Sequence, residues 1–194
     1  MGRSKTFRAS DFDAAYYDRF YRDPTTRVAD PRSVSRLVGF VAGYLKHLQI
    51  PVTRILDIGC GLGLWQRPLA KAFPKATWLG VEFSGHICAA HGFQQGSVVD
   101  FEADEPFDLV SCQGVLLYLN TRDARRAIQN LGRLTQGALY LEALTERDWQ
   151  ENVSKETTDG ATHLRPGSWY RKILDKHFRN AGGGVFLHRD CDAV

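Results

Sequence analysis

The chain has 194 residues, enough for one domain with a sizeable buried core and too few to suggest a second. Hydrophobic residues at 43% and charged residues at 24% exclude a disordered, collagenous or disulfide-framework protein. With 25 Lys and Arg against 22 Asp and Glu, the net charge of +3 is too small to mark a dedicated nucleic-acid binder.

The N-terminus, MGRSKTFRASDFD, is polar and carries no signal-peptide pattern, and no run approaches the roughly 18 apolar residues of a membrane span. A cytoplasmic protein without membrane contact is the expectation. Cys60, Cys88, Cys112 and Cys191 lie far apart with no CxxC or Cys/His spacing, so they read as reduced, packed thiols and no metal site is expected.

In chain order, DFDAAYYDRFY (11–21) predicts a short helix closed by Pro24. Residues 1–30 thus read as an aromatic-rich helical lid segment, and 31–194 as a single α/β domain. After Pro31, Val34, Leu37, Val38, Val41, Leu45 and Leu48 recur at helical spacing. TRILDIG (53–59) is a buried strand, followed by a helix ending near Phe73. TWLGVE (77–82) is the next strand, 84–91 a short helix, FQQG (93–96) a short edge strand and FDLVSC (107–112) a buried one.

Asn120 and Thr121 offer caps for a helix with Ala124, Ala127, Ile128, Leu131 and Leu134 on one face, and ALYLEAL (138–144) returns as a strand. Ser168 is a cap for a last helix through His177, and VFLH is strand-like after three consecutive glycines. Alternating strands and helices imply a Rossmann-like, doubly wound, mostly parallel sheet with helices on both faces. An antiparallel C-terminal strand is expected to complete it.

In such a sheet ligands bind beyond the carboxyl ends of the strands, where strand order reverses. The first strand ends in LDIGCGLG, with Asp57 followed by Gly59, Gly61 and Gly63, so backbone is bared where a ligand must touch it. Helix-terminal N–H donors are expected beside the ligand. A dinucleotide fingerprint requires GxGxxG, but Leu64 stands at its last position and the spacing here is GxGxG. A NAD-dependent oxidoreductase is therefore a lesser alternative.

The LDIGCGLG run resembles motif I of the class I S-adenosylmethionine-dependent methyltransferases, and the resemblance covers roughly Ile55 to Leu144 in the expected order. It implies S-adenosylmethionine as cofactor and methyl transfer as activity. It implies that Asp57 helps hold the methionine amino group while Gly59, Cys60 and Gly61 approach the amino-acid portion. Glu82, at the end of the second strand, would accept the ribose hydroxyls, as an ionised carboxylate does well. Phe83, Ser97 and Val98 would border the adenine; Ser97 stands where relatives commonly carry aspartate. Gln113 falls in the segment beneath the methionine, and Tyr17 of the lid segment joins the cofactor-binding set.

Methyl transfer gains mostly from alignment, so a shaped dry pocket matters more than any one nucleophile. Tyr16, Tyr17, Phe20 and Tyr21, with His163, Trp169 and Tyr170, are candidate walls. His163 is the first candidate for moving a proton, because its ordinary pKa lies near 6.5, with Tyr118 and Glu142 as alternatives. A small molecule is the expected acceptor, a nucleic acid or protein acceptor is left open, and oligomeric state is not legible. A non-catalytic nucleotide-binding or interaction protein on the same fold is the other alternative.

Overall fold

A computed structural model of the chain describes residues 6–155, 157–159 and 162–192. After a 3-10 turn at Ala9–Asp11 come α1 (Ala14–Tyr17), a π-helical turn at Asp18–Arg22, and α2 (Pro31–His47). Asp30 starts α2 because its Oδ1 accepts from the amides of Arg32, at 2.8 Å, and Ser33, at 3.1 Å, while Pro31 presets the first turn. The alternating part runs β1 (Arg54–Ile58), α3 (Gln66–Ala72), β2 (Thr77–Glu82), α4 (Gly85–His91), β3 (Gln94–Gln95), β4 (Phe107–Gln113), α5 (Thr121–Leu134) and β5 (Thr135–Glu142). It closes with α6 (Glu146–Glu151), α7 (Gly167–Leu174), β6 (Phe178–Gly182) and β7 (Val185–His188).

The seven strands lie in the order β3-β2-β1-β4-β5-β7-β6. The first five strands in sequence are parallel, and β7 runs antiparallel to both β5 and β6. Strand order reverses between β1 and β4, and the crevice of a doubly wound sheet opens there.

Register sorts the core. Ile55 pairs with Leu109 and Leu109 with Ala138, and these pack under α2 and α3 with Leu45 and Leu69. One residue on, Leu56, Val110 and Leu139 face α5 and α7, against Ile128, Leu131 and Ile173. That period-two alternation gives the sheet two buried faces. One more step along, Asp57 lies beside Ser111 and Ser111 beside Tyr140, so polar groups on adjacent strands are brought abreast.

The structure departs from expectation at the ends. The N-terminal helix is a single α-turn and a π-turn rather than a continuous helix over 11–21. β5 begins at Thr135 rather than 138, pairing with Phe107 across a register irregularity. The last helix stops at Leu174, Ser168 makes no cap, and 178–182 is an edge strand. FRNAG buries only Phe178, so it shows no alternation a sequence reading could catch. The glycine run is the hairpin corner joining it to β7: Gly182, Gly183 and Gly184 all have positive φ. No described helix is long and apolar enough to cross a membrane.

Candidate active site

At the carboxyl ends of β1, β2 and β4, Asp57 is the best-buried acid, 3% exposed. Its Oδ1 accepts from the Ser111 hydroxyl at 2.7 Å, a bond set by the strand register. Its Oδ2 is buried without any hydrogen-bond partner. Burial, against the pull of the Ser111 hydrogen bond and with a push from Glu82, raises the Asp57 carboxyl to about 7.

The glycine loop uses its own amides. Gly59 and Cys60 both donate to the carbonyl of Val81, at 2.7 and 3.1 Å, and Gly63 donates to Cys60 at 2.9 Å. Gly61 donates to Glu82 Oε2 at 2.9 Å, while Ser84 donates its amide to Glu82 Oε1 at 2.9 Å. The amides of Gly59, Cys60, Gly61 and Gly63 are therefore committed within the protein. The loop instead supplies space: Gly59 has φ +75°, and a Cβ there would fall 2.2 Å from Val115 Cγ2.

Two cavities meet over this floor and share Tyr16, Tyr21, Gly59, Gln113, Gly114 and Tyr118. The smaller, about 290 Å³, is bordered by Tyr17, Glu82, Phe83, Ser97 and Val98. The larger, about 450 Å³, is bordered by Asp57, Cys60, Trp65 and Glu142. A relay fixes that border: Trp65 Nε1 donates to Gln113 Oε1 at 2.9 Å and Gln113 Nε2 to Glu142 Oε2 at 3.0 Å. Gln113 and Glu142 are register partners, so neither was placed by chance of rotamer alone.

The N-terminal segment roofs both cavities. Ser84 donates its hydroxyl to the Phe12 carbonyl, and Phe12, Tyr17 and Ile87 pack together. Tyr16 and Tyr118 share a hydroxyl hydrogen bond of 2.7 Å across the roof. Burial raises the phenols of Tyr16, Tyr17, Tyr21 and Tyr118 well above their ordinary range, so all four stay neutral donors at physiological pH. Burial likewise pushes the Cys60 thiol up, reinforced by Asp57 and Glu82, so it stays a neutral thiol at physiological pH.

Of the residues singled out from sequence, Asp57, Gly59, Cys60, Glu82, Phe83, Tyr17, Ser97, Val98, Gln113, Tyr118 and Glu142 all border one cavity or both. Gly61 does not border either and instead holds Glu82. His163 also lies outside both linings: its amide donates to the Leu117 carbonyl at 2.7 Å and its ring sits edge-on to Phe7.

Besides Ser111, which holds Asp57, sequence reasoning missed two supports. Asn130, 3% exposed, donates through Nδ2 to the carbonyls of Val98 and Phe101, at 3.1 and 2.9 Å, steadying the wall of the smaller cavity. A polar residue inside the apolar stripe of α5 was its signal. Arg165, 4% exposed, donates to the carbonyls of Leu116, Leu119 and His163 and to the Tyr170 hydroxyl. It ties the segment after β5 to the 3-10 turn at Leu116–Tyr118, and no local pattern announces it.

Residues 55–137 match the family described as a methyltransferase domain. Among curated proteins, trans-aconitate 2-methyltransferase of Deinococcus radiodurans is 29% identical over 108 residues, 53% of this chain and 38% of that protein. Malonyl-[acyl-carrier protein] O-methyltransferase of Legionella pneumophila is 45% identical over 40 residues, 21% of this chain and 14% of that one. The chain thus spans less than half the length of these relatives. Among solved structures, magnesium protoporphyrin IX methyltransferase from Synechocystis, with bound S-adenosylhomocysteine, superposes with a TM-score of 0.64 at 20% identity, covering 93% of this chain and 95% of that one. A sugar N-methyltransferase from Streptoalloteichus gives 0.60 at 19% identity, covering 91% and 93%.

Proposed function

We propose that this chain is a class I S-adenosylmethionine-dependent methyltransferase that holds its cofactor across the two joined cavities and transfers the methyl group to a small-molecule acceptor. The observation that carries the reading is the orphaned Oδ2 of Asp57, a buried carboxylate oxygen bordering the larger cavity with no partner in the protein. Such an atom is costly to bury unless a donor arrives with a ligand, and the cofactor's ammonium is a donor of the right charge.

The rest of the donor set fits the same molecule. Glu82, held by two amides, presents a fixed carboxylate to the smaller cavity, suited to a ribose diol. Phe83 and Val98 supply apolar walls for a purine beside it. The neutral phenols of Tyr16, Tyr21 and Tyr118 offer the donors that the loop amides do not, where the two cavities join. Bound there, the cofactor supplies an electrophilic methyl group on a sulfonium.

Tyr118 and Glu142 border the space beside that junction and are the residues proposed to orient the acceptor. His163 has no part in this reading. A small acceptor is supported by the cavity volume of about 450 Å³ and by the names of three similar proteins, which mention trans-aconitate, a protoporphyrin and a sugar, while a fourth mentions a malonyl group on an acyl-carrier protein. Segments 6–30 are proposed to act as the roof over a single α/β domain. Calorimetric titration with S-adenosylhomocysteine tests the assignment. Saturable binding, weakened about tenfold or more in Glu82→Ala, is expected; equal affinity of both proteins would remove Glu82 from the site, and no binding would end the reading.

A further inference from the structure

With Asp57 matched to the cofactor's ammonium, the carboxylate on the same carbon of that molecule still needs donors, and the glycine loop does not supply them. Gly59, Cys60, Gly61 and Gly63 spend their amides on the Val81 and Cys60 carbonyls and on Glu82. The described residues bordering the larger cavity include no Lys, Arg or His, so the task falls to neutral side chains. Tyr16 and Tyr118 bond to each other at 2.7 Å, which spends one of their two donors. Gln113 is differently placed. It stands two residues beyond Ser111 on β4, and Ser111 is abreast of Asp57, so the period of two puts Gln113 on the same face just past Asp57. It borders both cavities where they join.

A carboxamide has an acceptor end and a donor end, and its neighbours decide which faces where. The Trp65 indole can only donate, and its Nε1 lies 2.9 Å from Gln113 Oε1. At the other end Glu142 Oε2 accepts from Nε2 at 3.0 Å, so both neighbours impose the same orientation. Of the two N–H groups on Nε2, one is spent on Glu142 and the other has no partner among the described residues. The two ends are not equally firm. Glu142 is exposed, and a bond to an exposed carboxylate holds weakly. Trp65 is 4% exposed, stands at the start of α3 and packs its ring 5.0 Å from that of Tyr140. We propose that Trp65 is a positioning residue: by holding Gln113 Oε1 it keeps the unspent Nε2 N–H on the carboxylate of the bound cofactor, and so selects ligands that carry a whole amino acid over ligands that carry an amine alone. This inference rests on the cofactor assignment. A hydrogen bond to a carboxylate is stronger than one between neutral groups, and it binds more tightly when the donor is held in place beforehand.

The test titrates the full chain with S-adenosylhomocysteine and with its decarboxylated form, S-adenosyl-thiopropylamine, which keeps the ammonium and lacks the carboxylate. The wild type is expected to bind the first about tenfold more tightly than the second. Trp65→Phe keeps a ring in the core and removes the N–H, and is expected to cut that ratio about threefold or more. A purely structural Trp65 would weaken both ligands alike and leave the ratio where it was. Gln113→Glu keeps an acceptor for Trp65 but sets a carboxylate where the donor was, so it is expected to bring the ratio to about one or below. In Gln113→Leu the ratio should also fall, and adding Trp65→Phe to it should lower the ratio no further, since Trp65 acts through Gln113. Equal binding of the two ligands by the wild type, a ratio unchanged in Trp65→Phe or in Gln113→Glu, or a further drop in the double variant overturns the inference and leaves the cofactor assignment standing. Failure of the wild type to bind S-adenosylhomocysteine overturns both.

Discussion

The floor of the site and its walls are made by different means. On the floor, Asp57 with Ser111 and Gln113 with Glu142 are cross-strand neighbours, so their hydrogen bonds follow from the register of β1, β4 and β5. The walls come from residues 6–30 and the described residues of 143–165, none of which lies in a strand of the sheet. Ser84 on the Phe12 carbonyl holds one of them, and Arg165 on the carbonyls of the 116–119 turn holds the other. Groups on rigid elements keep a fixed geometry, whereas loop-borne groups are where binding preferences diverge. The proposed cofactor contacts of Asp57, Glu82 and Gln113 sit on the first kind of support here, while the proposed acceptor-orienting residues are divided between Glu142 on β5 and Tyr118 on the 3-10 turn.

The comparison breaks most sharply at Gly59. Gly59→Ala places a methyl 2.2 Å from Val115 Cγ2 at φ +75°, and is expected to lower stability by about 3 kcal/mol and S-adenosylhomocysteine affinity by more than a hundredfold. Gly61→Ala, whose Cβ meets nothing nearer than Tyr21 at 3.6 Å, should show only backbone strain of about 1–2 kcal/mol. Thermal unfolding and calorimetry of the pair decide it; equal losses would show that steric fit at Gly59 is not what the floor depends on.

Arg165 tests the wall. Arg165→Leu removes the donor from the Leu116, Leu119 and His163 carbonyls and should cost about 3 kcal/mol in denaturant unfolding. Cofactor affinity should fall by less than about fivefold, since the register of the floor is untouched. A large affinity loss in a folded variant would mean that wall and floor are one cooperative unit.

Asp57 gives a pH signature to the floor. Below its raised pKa of about 7 the free protein carries a neutral carboxyl, which must ionise to receive an ammonium. Affinity for S-adenosylhomocysteine should therefore fall about tenfold from pH 8 to pH 6, with proton release on binding at pH 6. Glu82 and Ser111 are the polar groups that act on it, and Asp57→Asn should flatten the profile. In the unliganded protein the sign is opposite: the folded state holds a proton that the unfolded state has lost, so stability falls as pH rises through about 7. The smallest effect is expected at the roof, where Tyr118→Phe deletes the Tyr16 hydroxyl bond and should change cofactor affinity by less than about threefold.

The residues of the floor were legible because strand ends and glycine spacing are local patterns. Asp57, Gly59, Glu82 and Gln113 could be picked out from LDIGCGLG, TWLGVE and the end of FDLVSC. Gly61 was picked out for the right pattern and a different contact, because only the fold shows that its amide faces Glu82. His163 was chosen on chemistry and loop position, and the chain folds it against Phe7 rather than into either cavity. Ser111, Asn130 and Arg165 were not found as supports, since each acts on groups dozens of positions away or on backbone carbonyls that leave no trace in residue type.

By itself, the order of residues determined the alternation of strands and helices, the parallel sheet and the bare loop at its centre, because periodicity and glycine permissiveness act over a few neighbours. Which carboxylates share a cavity was decided only by tertiary structure. Glu142, Asp148 and Asp159 look like ordinary surface acids in the chain, and the fold brings all three to the border of one cavity.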